Sequence, residues 1–109
     1  MAESFKHGIA LFNQNKFFDA HEVLEDVWRA TEGPEKRFLQ GLIQIAVGFH
    51  HLSTGNIVGA RSLLHRGAEK MRELPARHAG IEVAALRESL VAWLAHLETG
   101  APQPPFPRL

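Results

Sequence analysis

The sequence has no cysteine, no tyrosine, no excess of either charge, no long apolar run and no sustained alternating stretch, and most of these absences exclude something. Without cysteine there is no thiolate zinc site, no cysteine nucleophile and no redox motif. Twelve basic side chains balance twelve acidic ones, so nothing draws the chain to phosphate backbones or anionic lipid, and neither nucleic acid nor membrane is an expected partner. Residues 1–7 hold no apolar signal core, and the longest apolar stretch, over 41–49, is interrupted by Gln44 and falls far short of a membrane span. A cytoplasmic protein is expected. With 109 residues, 45% of them apolar, one domain around one core can hold without disulfides or a structural metal.

What is present is a spacing of three and four between apolar residues along most of the chain, which predicts an all-α bundle of about five helices. A first helix is expected over 4–14 with Ser4 as its N-cap, burying Phe5, Ile9 and Phe12. The second, over 17–31, places Ala20, His21, Leu24 and Trp28 on one face. Gly33 and Pro34 separate it from a third over 34–53, apolar nearly all round and therefore central. A fourth is expected over 57–73 and a fifth over 84–99, with Gly100 as its C′ residue. The bundle thus occupies 1–100. The segment 101–109, with four prolines, cannot be regular structure, although Phe106 can pack on the bundle.

Slid forty residues along itself, the chain places Gly8, Phe12, Asn15, Phe17, Ala20 and Leu24 on Gly48, Leu52, Gly55, Ile57, Ala60 and Leu64. This pattern describes two antiparallel helical hairpins with equivalent turns, similar to tetratricopeptide hairpins in which a small residue lets two helices approach closely. The C-terminal helix completes the bundle.

Chemistry concentrates in HEVLEDVW, over 21–28. His21 and Glu25 stand one helical turn apart and can touch each other or a shared ion. His21 falls inside an apolar stripe and Glu25 at its edge, so polar groups are expected to face them. The third helix offers Gln40, Gln44 and His51 along one stripe, with His51 expected to point inward and the adjacent His50 to lie at the periphery. The predicted pocket comprises His21, Glu25, Trp28, Gln40, Gln44 and His51. Three readings fit it: a structural polar network; a divalent metal site of His21, Glu25 and His51, with Glu22 as a further ligand; and a metal-free acid-base site. HEVLE lacks the second histidine of HExxH, and no Glu-x-x-His pair of the di-iron bundles occurs. Trp28 and Trp93 fall on apolar faces, and Arg61 and His65, at the places of His21 and Glu25 in the forty-residue register, read as edge residues with solvated tips.

The run FNQNKFFDAHEVLEDVW over 12–28, FLQGLIQ over 38–44, and the later His51-Leu52, Gly55-Asn56 and Gly59-Ala60 pairs resemble the bacterial and archaeal proteins grouped as domain of unknown function 309. Their signature, a histidine, a glutamate four residues on, a tryptophan three further and a later histidine, falls on His21, Glu25, Trp28 and His51, with His50 beside it as the other occupant of the last position. The resemblance implies a small all-helical bundle and supplies no reaction, so whether the chain is an enzyme stays open. Two functional expectations remain. One is a His/Glu/Trp pocket binding a small ligand or divalent metal. The other is a tetratricopeptide-like interaction module, with a protein partner or a second copy of the chain, in which the His/Glu cluster only braces the core.

Overall fold

The three- and four-residue spacing becomes five helices in a computed structural model that describes residues 2–109: α1 (Ala2–Asn13), α2 (Phe17–Arg29), α3 (Pro34–Ser53), α4 (Ile57–Met71) and α5 (Val83–Thr99). Met1, the first residue of the expected 1–100 bundle, lies outside the described residues. The helix expected from Ser4 starts earlier, so Ser4 sits inside the first turn of α1 and does not cap it. Pro34 stands at the N-terminal position where its missing N–H leaves no bond unmade. Asn56 caps α4 by accepting from the Gly59 N–H at 2.9 Å.

The two hairpins repeat each other down to single hydrogen bonds. In the first turn, Asn15 N–H bonds Phe12 O, Lys16 N–H bonds Leu11 O and Ala20 N–H bonds Lys16 O; forty residues on, Gly55 bonds Leu52, Asn56 bonds His51 and Ala60 bonds Asn56, all at 2.9 to 3.1 Å. Asn15 (φ 61°) and Gly55 (φ 81°) take the same left-handed conformation, asparagine being the side chain that tolerates it best after glycine. A Cβ on Gly8 would stand 2.8 Å from Leu24, and one on Gly48 3.0 Å from Leu64. Each pair of helices therefore closes on a glycine.

α3 lies between the hairpin partners, packing on α2 along one side and on α4 along the other. Phe12, Leu42, Ile45, Phe49, Leu64, Leu90 and Trp93 are fully buried around it. α5 closes the remaining side and is held to the end of α4 by Arg87, whose guanidinium donates to Met71 O and Leu74 O at 2.9 and 2.8 Å. Met71 O belongs to the last turn of α4, whose carbonyls lack partners within the helix, and Leu74 O to the loop that follows it.

A short element escaped the sequence pattern. Arg77–His78 pairs antiparallel with Ile81–Glu82 across a two-residue turn, Ala79 and Gly80, both at positive φ (52° and 77°). Two residues per strand are too few to register as alternation. The turn demands left-handed backbone at both central positions, and alanine at the first is strained where asparagine is favoured. Ala79→Asn is therefore expected to stabilise the chain by about 0.5–1 kcal/mol, visible as a raised urea midpoint with unchanged slope. No gain would show that this turn relaxes to another conformation. His78 anchors the hairpin through Glu35 on α3 (2.7 Å) and a ring contact with Phe38.

Residues 101–109 carry no helix or strand, yet they are docked along their length. After the left-handed Gly100, His96 Nδ1 donates to Ala101 O at 2.7 Å and Trp93 Nε1 to Pro105 O at 3.1 Å. Phe106 enters a cage of Phe17, Phe49 and Trp93, with ring centroids 5.2, 5.3 and 5.0 Å away. Asn13 on α1 then clasps Leu109 through both backbone groups, accepting from its N–H at 2.7 Å and donating to its carbonyl at 3.3 Å.

Candidate functional site

The HEVLE segment forms a network along the edge of α2. His21 Nδ1 donates to Phe18 O at 3.0 Å, His21 Nε2 lies 3.1 Å from Glu25 Oε2, and Arg29 donates to Glu25 at 2.7 Å and to Asp26 at 2.9 Å. The i, i+4 spacing alone brings these groups together. Both nitrogens of His21 thus lie beside oxygen atoms. The His21 side chain is 20% exposed and that of Glu25 35%, so water reaches the pair and no facing polar group from α3 is required.

Gln44, His51 and Gln40 of the expected pocket have other surroundings. Gln44 points to α4, where its carbonyl accepts from Lys70 Nζ at 2.8 Å. Partial burial, with Arg37 and Arg66 nearby, pushes the Lys70 ammonium below the usual lysine range. His51 sits at the α3–α4 turn with Asn56 Nδ2 3.3 Å from its Nδ1, and Gln40 is exposed. Trp28 is half-buried beneath Lys36, whose Nζ stands 4.1 Å from the ring centre, and its buried Nε1 has no hydrogen-bond partner among the described residues. The structure thus unites His21 with Glu25 and gives Gln44 and His51 other partners, Lys70 and Asn56. Among the described residues no three His, Asp or Glu side chains gather as a metal site would require, so the His21, Glu25 and His51 triad is not assembled.

The reason lies in the glycines of α3. Gly41 and Gly48 share a stripe with Gln44 and His51, and a Cβ on Gly41 would stand 2.5 Å from Met71 while one on Gly48 would meet Leu64. α4 takes this stripe because it permits the closest approach. The stripe of Leu39, Ile43, Ala46 and His50 is left for α2, and it is His50, not His51, that turns toward the second helix. Its ring lies 5.0 Å from Phe18, which in turn lies 5.1 Å from His21. The glycine spacing was the available signal for this choice. Phe18, 47% exposed, was not singled out by the sequence because it lies off the apolar stripe of its helix.

Besides a cleft of about 190 Å³ along His21, Glu22, Glu25, Asp26 and Arg29 and one of about 290 Å³ beside Val58, Arg61 and His65, two clefts adjoin the hairpins. One, of about 320 Å³, opens beside Phe18 and His50, with Phe17, Phe49, Ser53 and Phe106 around it. The other, about 540 Å³ and mostly apolar, lies between Phe5, Ile9 and Ala10 of α1 and the turn at Ala79, Gly80 and Ile81, with Leu109 at its edge. In the second hairpin, Arg61 and His65 remain exposed, but both reach Glu98 on α5, at 3.1 and 3.2 Å. His65 and then Arg61 hold the Glu98 carboxyl below the usual carboxylate range. The polar pair of the first hairpin braces its own helix, whereas the equivalent pair of the second joins two helices.

Residues 5–63 match the model of a family described as Domain of unknown function (DUF309). An uncharacterized protein of Aquifex aeolicus (strain VF5) is 30% identical over 102 residues, which are 93% of this chain and 31% of that protein. The uncharacterized protein YpuF of Bacillus subtilis (strain 168) is 38% identical over 67 residues, 61% of this chain and 37% of that protein. The chain spans about a third of the length of these curated relatives. No described helix is long and apolar enough to cross a membrane.

Proposed function

From the premise that this chain belongs to the DUF309 family, we propose that it is a protein-interaction module built on tandem helical hairpins. The observation that carries this reading is the forty-residue repeat: the same turn hydrogen bonds, the same left-handed turn residue and the same glycine-to-leucine approach occur twice. Stacked hairpins present side chains at equivalent positions in parallel rows, and such rows recognise extended or helical segments of a partner. Phe18 and Val58, the second residues of α2 and α4, are the equivalent apolar pair, 47% and 77% exposed. Apolar side chains left outside at matching positions suit a contact surface better than a solvated face. Under this reading His21, Glu25 and Arg29 hold the surface of α2 rigid. The test immobilises the chain, captures proteins from a lysate of the source organism and repeats the capture with Phe18→Asp and with Val58→Asp. A stoichiometric partner lost with both variants supports the module; identical capture by all three chains overturns it.

A small-ligand reading is favoured by a different observation, the 320 Å³ cleft flanked by the Phe18 and His50 rings, within the size range of small-molecule sites. His21 and Glu25 lie one side chain beyond it and would supply its polar wall or hold a divalent ion. Elemental analysis of untagged protein beside His21→Ala and Glu25→Ala separates the two. Stoichiometric metal lost in both variants would move the function to this site, and equal content in all three would leave the pair as a helix brace.

A further inference from the structure

The segment 101–109 is bound as a peptide ligand is bound. Its carbonyls at Ala101, Pro105 and Leu109 are taken up by His96, Trp93 and Asn13, and its one aromatic residue fills a cage of three rings. Asn13 clasps the backbone of Leu109 from both sides, a contact that reads main chain and not side chain. Four of the nine residues are proline, so the segment has little conformational freedom to lose on docking, which is the physical basis for recognising proline-rich strands in aromatic-lined grooves. Two clefts adjoin this groove. The 540 Å³ apolar cleft opens beside Leu109 and the 320 Å³ cleft beside Phe106.

We propose that this groove is a recognition site for an extended proline-aromatic segment of a partner protein, of the form Pro-Pro-aromatic-Pro followed two residues later by an aliphatic side chain, and that residues 101–109 occupy it in the resting chain. The proposal rests on the interaction-module reading and names its partner chemistry and its binding surface. The resident segment acts as a tethered competitor at an effective concentration on the order of millimolar. Weak or mismatched segments are therefore excluded.

The experiment uses the full chain carrying Phe106→Ala, which empties the cage and keeps the tether, and a synthetic peptide of residues 101–109 titrated in trans with Trp93 fluorescence and calorimetry as readouts. The peptide is expected to bind the variant at least about tenfold more tightly than it binds the unmodified chain, and a peptide with Phe106→Ala is expected not to bind. Failure of the peptide to bind a variant whose helical circular dichroism is intact overturns the proposal. It leaves the module reading to the Val58→Asp capture, because Val58 lines neither cleft of this groove, whereas Phe18 borders the one beside Phe106. Hydrogen exchange on the unmodified chain decides the matter if the variant does not fold. The Phe106 and Leu109 amides are expected to exchange about a hundredfold or more faster than the central amides of α3, by local release of the segment. Exchange of all these amides at one common rate would mean that the segment leaves only on global unfolding, and would overturn the proposal. A concentration-dependent dimer of the unmodified chain, abolished by Phe106→Ala, would mean that copies exchange the segment and would overturn the assignment to a different protein.

Discussion

Trp93→Ala is expected to lower the unfolding free energy by about 3–5 kcal/mol, the range for removing a fully buried aromatic side chain. Trp93 has no exposed surface. Its ring meets Phe49 edge-on at 5.4 Å and stacks on Phe106 at 5.0 Å with 18° between planes. Two contributions add. The cavity left in the core is walled by α3 and α5, which other contacts hold in place and which cannot collapse inward. The docked segment loses both its stacking partner and the donor to Pro105 O, leaving a carbonyl to be rehydrated. Against a total stability of about 5–15 kcal/mol for a domain this is a large fraction, and the melting temperature is expected to fall by roughly 12–20 °C. Trp93→Phe separates the two contributions, because it keeps much of the ring volume and removes the donor, at an expected loss of about 0.5–1.5 kcal/mol from the hydrogen bond. Urea titration followed by circular dichroism measures both. A Trp93→Ala loss below about 1.5 kcal/mol would show that the aromatic cluster repacks freely, against the close packing that interiors of this kind display.

Gly67→Ala should have the opposite sign from the one helix propensity assigns. In an exposed helix the change stabilises by about 0.5–1 kcal/mol, because glycine loses more backbone freedom on folding. At Gly67 a Cβ would stand 2.4 Å from Ile45 Cγ1 and 3.0 Å from the carbonyl oxygen of Gly41. The first neighbour is a buried side chain and the second is backbone, so neither moves away cheaply. Overpacking of this kind costs about 1–3 kcal/mol, occasionally more, and should exceed the propensity gain. The net loss is expected to be recovered in part by Ile45→Ala, since the double variant removes the nearer clash, and a favourable coupling of about 0.5–3 kcal/mol should appear in the cycle. Additive effects of the two substitutions would show that α3 and α4 can separate at this crossing without loss, which would remove the steric basis for which stripe of α3 meets α4.

The same crossing explains how much of the molecule was legible in advance. Five helices, the break at Gly33-Pro34, the turns at Asn15 and Gly55 and the forty-residue repeat follow from local chemistry. An amphipathic spacing, a proline or a left-handed residue acts on its own neighbours whatever the rest of the chain does. The pairing of His21 with Glu25 was legible for that reason too. The hairpin over 77–82 was not, because two residues per strand leave no period to detect. Nor was the destination of Gln44 and His51, because α3 is apolar nearly all round and offers several faces that a neighbour could cover.

What the sequence determined by itself is therefore the set of helices, their order, the turns at Asn15 and Gly55, and the pairing of His21 with Glu25 within one helix. Which face of α3 meets which partner was decided by the tertiary structure. Helices close where backbone can come nearest to backbone, and Gly41, Gly48 and Gly67 placed that contact on the α4 side. That choice sent Gln44 and His51 away from the His21–Glu25 pair and turned His50 toward Phe18. The docking of residues 101–109 was decided the same way. Its proline content announced only that no helix forms there, whereas its place depends on rings from α2, α3 and α5 and a carboxamide from α1, groups that meet only once the bundle has closed.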